Sequence, residues 1–255
     1  MSRITGQQVI NILALICALV MNSLANSLPL NGQTTGEISD RFPILFVPDG
    51  YVFSIWGLIY IALIAFVIYQ ALPAQRDNPR LQAIFCWFVV SNLANILWLF
   101  FWHFEFFPLS LLAMTVILVS LLMIYYILRV NKPKISKTER WLVNAPFSLY
   151  LGWISVATIA NVSQVLYISG WSGWGFNAIA WTIIMLVVAA GLALLMFTIE
   201  DDYIYGLVII WAVIGIAVKQ AYVPVIANTS WVLVGLIILG SILIQTILKK
   251  KVVSL

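Results

Sequence analysis

The apolar stretches of this chain contain amide side chains, and indoles accompany them. They recur at spacings of three or four residues, which places each set on one face of a helix. A buried amide without a partner is costly in hydrocarbon, so we expect these faces to point into a bundle. Indoles that face inward suit the walls of a site for a flat apolar ligand. The candidate ligand-binding residues are Asn22, Asn26, Trp56, Tyr60, Asn92, Asn95, Trp98, Trp153, Ala157 and Asn161.

A structural role for the same amides stays open. Asn side chains hydrogen-bond between the helices of membrane bundles, and any one of these Asn residues could do only that. This role explains the clustered Trp residues less well, because large indoles are poor at close packing between helices. The pattern therefore favours a binding site without excluding a purely structural network.

The chain carries no signature of catalysis or metal binding. Its only histidine, His103, lacks the serine, cysteine or carboxylate arrangement that marks a nucleophile. There is no phosphate loop or dinucleotide fingerprint, and two cysteines in apolar stretches form neither a disulfide framework nor a metal motif. We assign no catalytic residue, no metal ligand and no required cofactor, and whether the protein is an enzyme is left undecided.

Composition places these residues in a membrane. The chain is 63% hydrophobic and 9% charged, with a mean hydropathy of +1.05. Long continuous apolar runs predict helices rather than barrel strands. The expected fold is all-α, a polytopic membrane helical bundle of about eight transmembrane helices. The predicted spans are 8–28, 50–72, 81–103, 107–129, 141–166, 177–199, 203–226 and 231–249.

The basic residues predict the orientation of these spans. With eight spans and a cytoplasmic N-terminus, every Lys and Arg except Arg41 and Lys219 falls in a cytoplasmic segment. We therefore expect an integral protein of the cell (plasma or inner) membrane with both termini in the cytoplasm. The net charge of +4 reflects these membrane edges and indicates no nucleic-acid partner. The expected partners are the lipid bilayer and a small hydrophobic ligand, and a homodimer is left open.

Two further features bear on the predicted site. The segment 29–49 begins polar and ends in the apolar run FPILFVP, so it is either a lid over the bundle or an ordinary interfacial loop. As a lid, this segment and the residues directly after it would bring Phe42, Phe46 and Tyr51 to the site. Lys219, within the predicted span 203–226, either snorkels to the outer interface or lines the pocket. A short repeat between 156–166 and 223–233 favours the second reading.

Four segments together resemble the tryptophan-rich sensory protein family, also called the translocator protein (TspO/MBR) family. They are PDGYVF at 48–53, WGLIY at 56–60, NILW at 95–98 and YLGWISVATIAN at 150–161. The resemblance covers a five-helix core at 1–167 and leaves 168–255 as a three-helix membrane extension. It departs from the family pattern at Leu99, where a serine is usual, and at Leu149, where a proline is usual.

The resemblance implies a function as well as a fold. It implies a Trp- and Asn-lined pocket for porphyrin-type, tetrapyrrole-like or other flat hydrophobic ligands, and a sensory, regulatory or transport role. The alternative is a secondary transporter of a small hydrophobic or amphipathic solute. That alternative is weakened because all nine acidic residues fall in predicted loops or at helix ends, which leaves no carboxylate inside the membrane to couple ions or protons.

Overall fold

The computed structural model describes residues 5–28, 30–130 and 134–253, with side chains as far as Thr246. Within these ranges the chain is helical and contains no strand, which confirms the predicted all-α membrane fold. Arg3, Lys132 and the side chains of Lys249–Lys251, on which the predicted orientation partly rests, lie outside this description. The helices are α1 Gly6–Ser27, α2 Thr35–Asp40, α3 Ile55–Ala71, α4 Pro79–His103, α5 Phe107–Arg129, α6 Lys137–Glu139, α7 Ala145–Ile168, α8 Ala178–Glu200, α9 Tyr203–Lys219 and α10 Pro224–Val253.

Seven of the described helical segments are long and apolar enough to cross a membrane, and the eighth apolar helix, α9, has 17 residues. The predicted span 203–226 is therefore too long: α9 ends at Lys219 and α10 begins at Pro224, not at 231. Proline has no amide hydrogen and fits the first turn of a helix, so Pro224 starts a new helix where the sequence pattern suggested continuity.

Polar residues mark where several long helices begin. The Asn78 side chain accepts a hydrogen bond from the Arg80 amide at 3.0 Å at the start of α4. Asn177 accepts one from the Ala180 amide at 2.9 Å at the start of α8. Such caps satisfy amides that have no partner in the first turn, and they fix where each apolar segment starts.

The described chain divides into two units. Unit 1 comprises the described residues of 1–42 and 54–154, and unit 2 comprises those of 43–53 and 155–255. The predicted boundary between 1–167 and 168–255 stays a prediction, because units defined by contacts do not report independent folding.

In unit 1, α1 packs against α3 and α4, and α4 packs against α5. Buried amides join α1 to α3: Gln8 Nε2 donates to the Gln70 carbonyl at 2.6 Å, and Gln70 Nε2 donates to the Gln8 carbonyl at 3.2 Å. Arg80 joins three elements, since its guanidinium donates to the Glu139 carboxylate, to the Leu128 carbonyl at 2.8 Å and to Asn144 Oδ1 at 3.1 Å. These polar contacts hold the apolar helices in a defined register.

In unit 2, α8, α9 and α10 pack against one another. The segment 43–53 lies along α9: the Asp49 amide donates to the Gly215 carbonyl at 3.2 Å, and Trp211 Nε1 donates to the Val52 carbonyl at 3.1 Å. A Cβ on Gly215 would come within 2.2 Å of Val52 Cγ2, so only glycine allows this close approach.

Candidate ligand-binding site

Four aromatic residues from α3 and α7 form a cluster in unit 1. The Trp56 ring stacks on Tyr60 with centroids 5.5 Å apart, and it meets the edges of Tyr150 and Trp153 at 5.8 and 6.2 Å. Tyr150 and Trp153 are buried, whereas Trp56 and Tyr60 are half-buried. We call these residues the aromatic cluster. Three of them were predicted as site residues, and Tyr150, noticed only within a motif, completes the set.

A buried amide lies beside this cluster. The buried amide is that of Asn95, whose Oδ1 accepts from Asn22 Nδ2 at 2.7 Å. Asn22 Nδ2 also donates to the Ala18 carbonyl at 2.8 Å, so both hydrogens of the Asn22 amide are used. Asn95 is 3% exposed, and its own Nδ2 makes no hydrogen bond to any residue that the structure describes. The Tyr150 hydroxyl lies near the Asn95 side chain, but the distance and angle between them are not those of a hydrogen bond. One buried donor therefore remains available next to the aromatic rings.

The other predicted residues of unit 1 have different surroundings. Asn92 is buried and donates to the Phe88 carbonyl of its own helix at 2.8 Å. Asn26 is exposed and donates to the Asn22 carbonyl at 2.9 Å. Trp98 stacks on Trp102 with centroids 5.3 Å apart. Asn92 and Asn26 thus bond back to their own helices, as Asn side chains in membrane helices often do.

The part of the predicted lid that belongs to unit 1 is tied to the turn between α4 and α5. Arg41 pairs with Glu105 at 2.8 Å. Phe42 meets the edge of Phe107 with centroids 5.4 Å apart. Trp102 Nε1 also donates to the carbonyl of Thr35 in α2 at 3.2 Å. This segment is therefore packed against protein instead of extending as a solvated linker.

The remaining predicted residues belong to unit 2. Ala157 is half-buried and Asn161 is buried, both on α7. Phe46 is buried, and Tyr51 meets the Trp211 ring at 5.4 Å. Lys219 is half-buried as the last residue of α9. The predicted span 203–226 placed this lysine inside a helix; at a helix C-terminus its charge is favourable.

The aromatic cluster carries groups that could contact a ligand. Its rings offer π surfaces, and Asn95 offers an amide donor, but no carboxylate or histidine belongs to the cluster. Among the residues that the structure describes, no group of three His, Cys, Asp or Glu side chains could hold a metal ion.

An all-helical chain with seven candidate spans in its described part, and with aromatic rings and amides inside them, defines a polytopic helical membrane protein. The family model for TSPO-like protein matches residues 8–243, and the chain belongs to that family. The match includes α8, α9 and most of α10, so it extends into the segment 168–255 that is predicted as a three-helix membrane extension. No curated protein and no solved structure matches the chain.

Proposed function

We propose that this protein binds a flat hydrophobic ligand of the tetrapyrrole type inside the membrane, and that binding serves a sensory, regulatory or transport role. The observation that carries the proposal is the aromatic cluster with the unused Asn95 amide beside it. Aromatic rings favour another π system, and an unpaired buried donor favours a ligand that brings an acceptor.

The polar and apolar parts of this site match the two parts of a porphyrin. The macrocycle offers a wide aromatic face to Trp56 and Trp153, whose rings meet nearly at right angles, 83° apart. Its carboxylate side chains offer acceptors to the Asn95 amide. Each aromatic contact is worth about 0.5–1.5 kcal/mol beyond area burial.

A porphyrin titration tests the proposal. The full-length protein in lipid nanodiscs is titrated with protoporphyrin, and binding is followed by the Soret band and by quenching of Trp fluorescence. Trp56→Ala and Trp153→Phe should each weaken binding, by about fivefold or more for the alanine variant, which corresponds to about 1 kcal/mol. Trp141→Ala is the matched control, because Trp141 is 66% exposed on the same unit. Equal affinity in the wild type, Trp56→Ala and Trp153→Phe would refute the site.

We also propose that the chain resides in the cell membrane with both termini in the cytoplasm. The basic loop before α7 supports this orientation. After Cys17 and Cys86 are replaced, Ser136→Cys should react with an impermeant thiol reagent only from the cytoplasmic side, and Ser172→Cys only from the other side. The reverse pattern would invert the topology. A label at Ser254 would report the C-terminus, which lies outside the described residues.

A further inference from the structure

Unit 2 contains a cavity of about 300 Å³ that the predicted site does not include. It lies between residues 43–46, the C-terminal end of α7, the loop 171–176 and the start of α8. Its aromatic walls are Phe46, Tyr167, Trp171, Phe176 and Trp181. We propose that this cavity is a second ligand site, for a small neutral planar aromatic molecule of about two fused rings.

One wall of the cavity is held rigidly. Trp181 Nε1 donates to the Gly173 carbonyl at 2.8 Å, which fixes the orientation of the indole. The Trp171 and Trp181 rings lie 4.9 Å apart, and Trp174 meets the Trp181 ring at 5.9 Å. Gly173 has φ +69°, and a Cβ there would lie 3.1 Å from Trp181 Nε1. A rigid aromatic wall loses little entropy when a ligand binds, and this preorganisation favours affinity.

A second wall of the cavity is also anchored. Gln220 Nε2 donates to the Leu45 carbonyl at 3.1 Å, so the segment that carries Phe46 is tied to the residue that follows α9. Phe46 itself is 2% exposed. The cavity is therefore bounded by fixed groups on two sides instead of being a gap between loose loops.

The lining specifies a neutral ligand without strong polar groups. None of the described residues that line the cavity is charged. The hydroxyls of Ser163 and Thr182 each donate to a carbonyl of their own helix at 2.8 Å, and the Trp181 N–H is also used. The lining offers no charged group and only a few polar ones, so a phosphate, a sugar or a free amino acid would lose more hydrogen bonds to water here than it could regain.

The volume sets the size of the ligand. An apolar cavity of about 150 Å³ is known to hold one benzene ring, and 300 Å³ is the lower end of the usual range for ligand pockets. Two fused rings fit this space, whereas a tetrapyrrole macrocycle is too large to enter it fully. The cavity is therefore a site separate from the proposed porphyrin site, and ligand binding at either can be absent while the other binds.

A heavy-atom quencher tests the second site. 2-Bromonaphthalene quenches indole fluorescence on contact, so it should produce a saturable quenching component in full-length protein in nanodiscs, above the linear part from lipid partitioning. Ser163→Phe fills the cavity and should weaken this component by about tenfold or more. Ser169→Phe is the matched control: Ser169 donates to the carbonyl four residues earlier at 2.8 Å, as Ser163 does, but it is exposed and lies outside the cavity. Equal affinity in the two variants would overturn the proposal.

A ligand competition experiment on the wild-type protein tests the same site if Ser163→Phe does not fold. Unbrominated naphthalene should displace the quencher and restore the fluorescence, whereas pyrene and decane should not. Displacement by decane at the same concentration as naphthalene would identify an acyl-chain site and overturn the aromatic assignment. Trp56→Ala, which changes the proposed porphyrin site, should leave the naphthalene signal unchanged; loss of the signal in that variant would also contradict a separate site.

Discussion

Replacing Asn95 with leucine separates the two roles that a buried membrane amide can have. Leucine has the same number of side-chain heavy atoms, branched at the same carbon, and no polar atoms, so the change removes the hydrogen bonding of Asn95 and nearly keeps the shape of the side chain. In the native chain Asn95 Oδ1 accepts from Asn22, while Asn95 Nδ2 is buried without a hydrogen bond among the described residues. If Asn95 served only to join α1 to α4, this arrangement would leave half of its amide without use.

The hydrogen bonds of Asn95 and Asn22 give the expected change in the free energy of unfolding. A buried donor without a partner costs about 1–3 kcal/mol. Asn95→Leu removes one such donor and creates another, because one Asn22 hydrogen loses its acceptor while the other still bonds the Ala18 carbonyl. The two effects offset, so the free energy of unfolding should stay within about 1 kcal/mol of the wild type. Asn22→Leu has no such offset, since it leaves the whole Asn95 amide unpaired, and it should destabilise by about 1–3 kcal/mol.

Two measurements check this prediction. The free energy of unfolding is measured by SDS titration in mixed micelles for the wild type, Asn95→Leu and Asn22→Leu. Protoporphyrin affinity is measured beside that of etioporphyrin, which has no carboxylates. Asn95→Leu should lose about tenfold or more in protoporphyrin affinity and keep its etioporphyrin affinity. If Asn95→Leu destabilises as much as Asn22→Leu, the unpaired-donor reasoning is wrong. If neither porphyrin affinity changes, Asn95 has no role in the ligand site.

Three further predictions follow from local contacts. Arg80→Met should destabilise unit 1 by about 2 kcal/mol or more, because it leaves the partly buried Glu139 carboxylate without its partner. Arg76 is exposed, so Arg76→Met should change the free energy of unfolding by less than about 0.5 kcal/mol in the same SDS titration. Gly173→Ala and Gly170→Ala both place alanine at φ +69°. Only Gly173→Ala should also weaken 2-bromonaphthalene binding, because only its Cβ comes close to the Trp181 indole. Equal binding by both variants would contradict this prediction. The pKa of the Glu37 carboxyl is lowered by hydrogen bonds from the backbone and hydroxyl of the threonine that caps α2. The ionised cap therefore stabilises α2 above the unfolded-state pKa, and this stabilisation is lost as pH falls through the folded-state pKa. Hydrogen-exchange protection of amides 35–40 should fall with acid in the wild type but not in Glu37→Gln, which keeps a neutral cap.

The helical fold could be predicted because it follows from composition and apolar length. Each span needs only a run of apolar residues, and these runs are continuous in this chain. The boundary near Lys219 could not be read in the same way, because the residues on both sides of it are apolar and hydropathy alone does not show a break. Pro224 was the available signal, since proline commonly opens a helix.

The candidate site could be predicted only in part. Helical spacing placed Trp56 and Tyr60 on one face, and the structure stacks them. Spacing does not show which partner a side chain chooses, so it could not separate Asn26, which bonds its own helix, from Asn95, which accepts from another. The cavity in unit 2 depends on the positive φ angles at Gly173 and Trp174, a tertiary feature that sequence periodicity does not report.

The most direct test of the central claim is to observe which indoles a bound porphyrin touches. The protein is labelled with 5-fluorotryptophan, its 19F resonances are assigned by single Trp→Phe variants, and protoporphyrin is added in nanodiscs. The ring current of a porphyrin is strong and short-ranged, so the resonances of Trp56 and Trp153 should shift together and saturate, while that of exposed Trp141 stays in place. A porphyrin that binds but leaves the Trp56 and Trp153 resonances unmoved would contradict the proposed site.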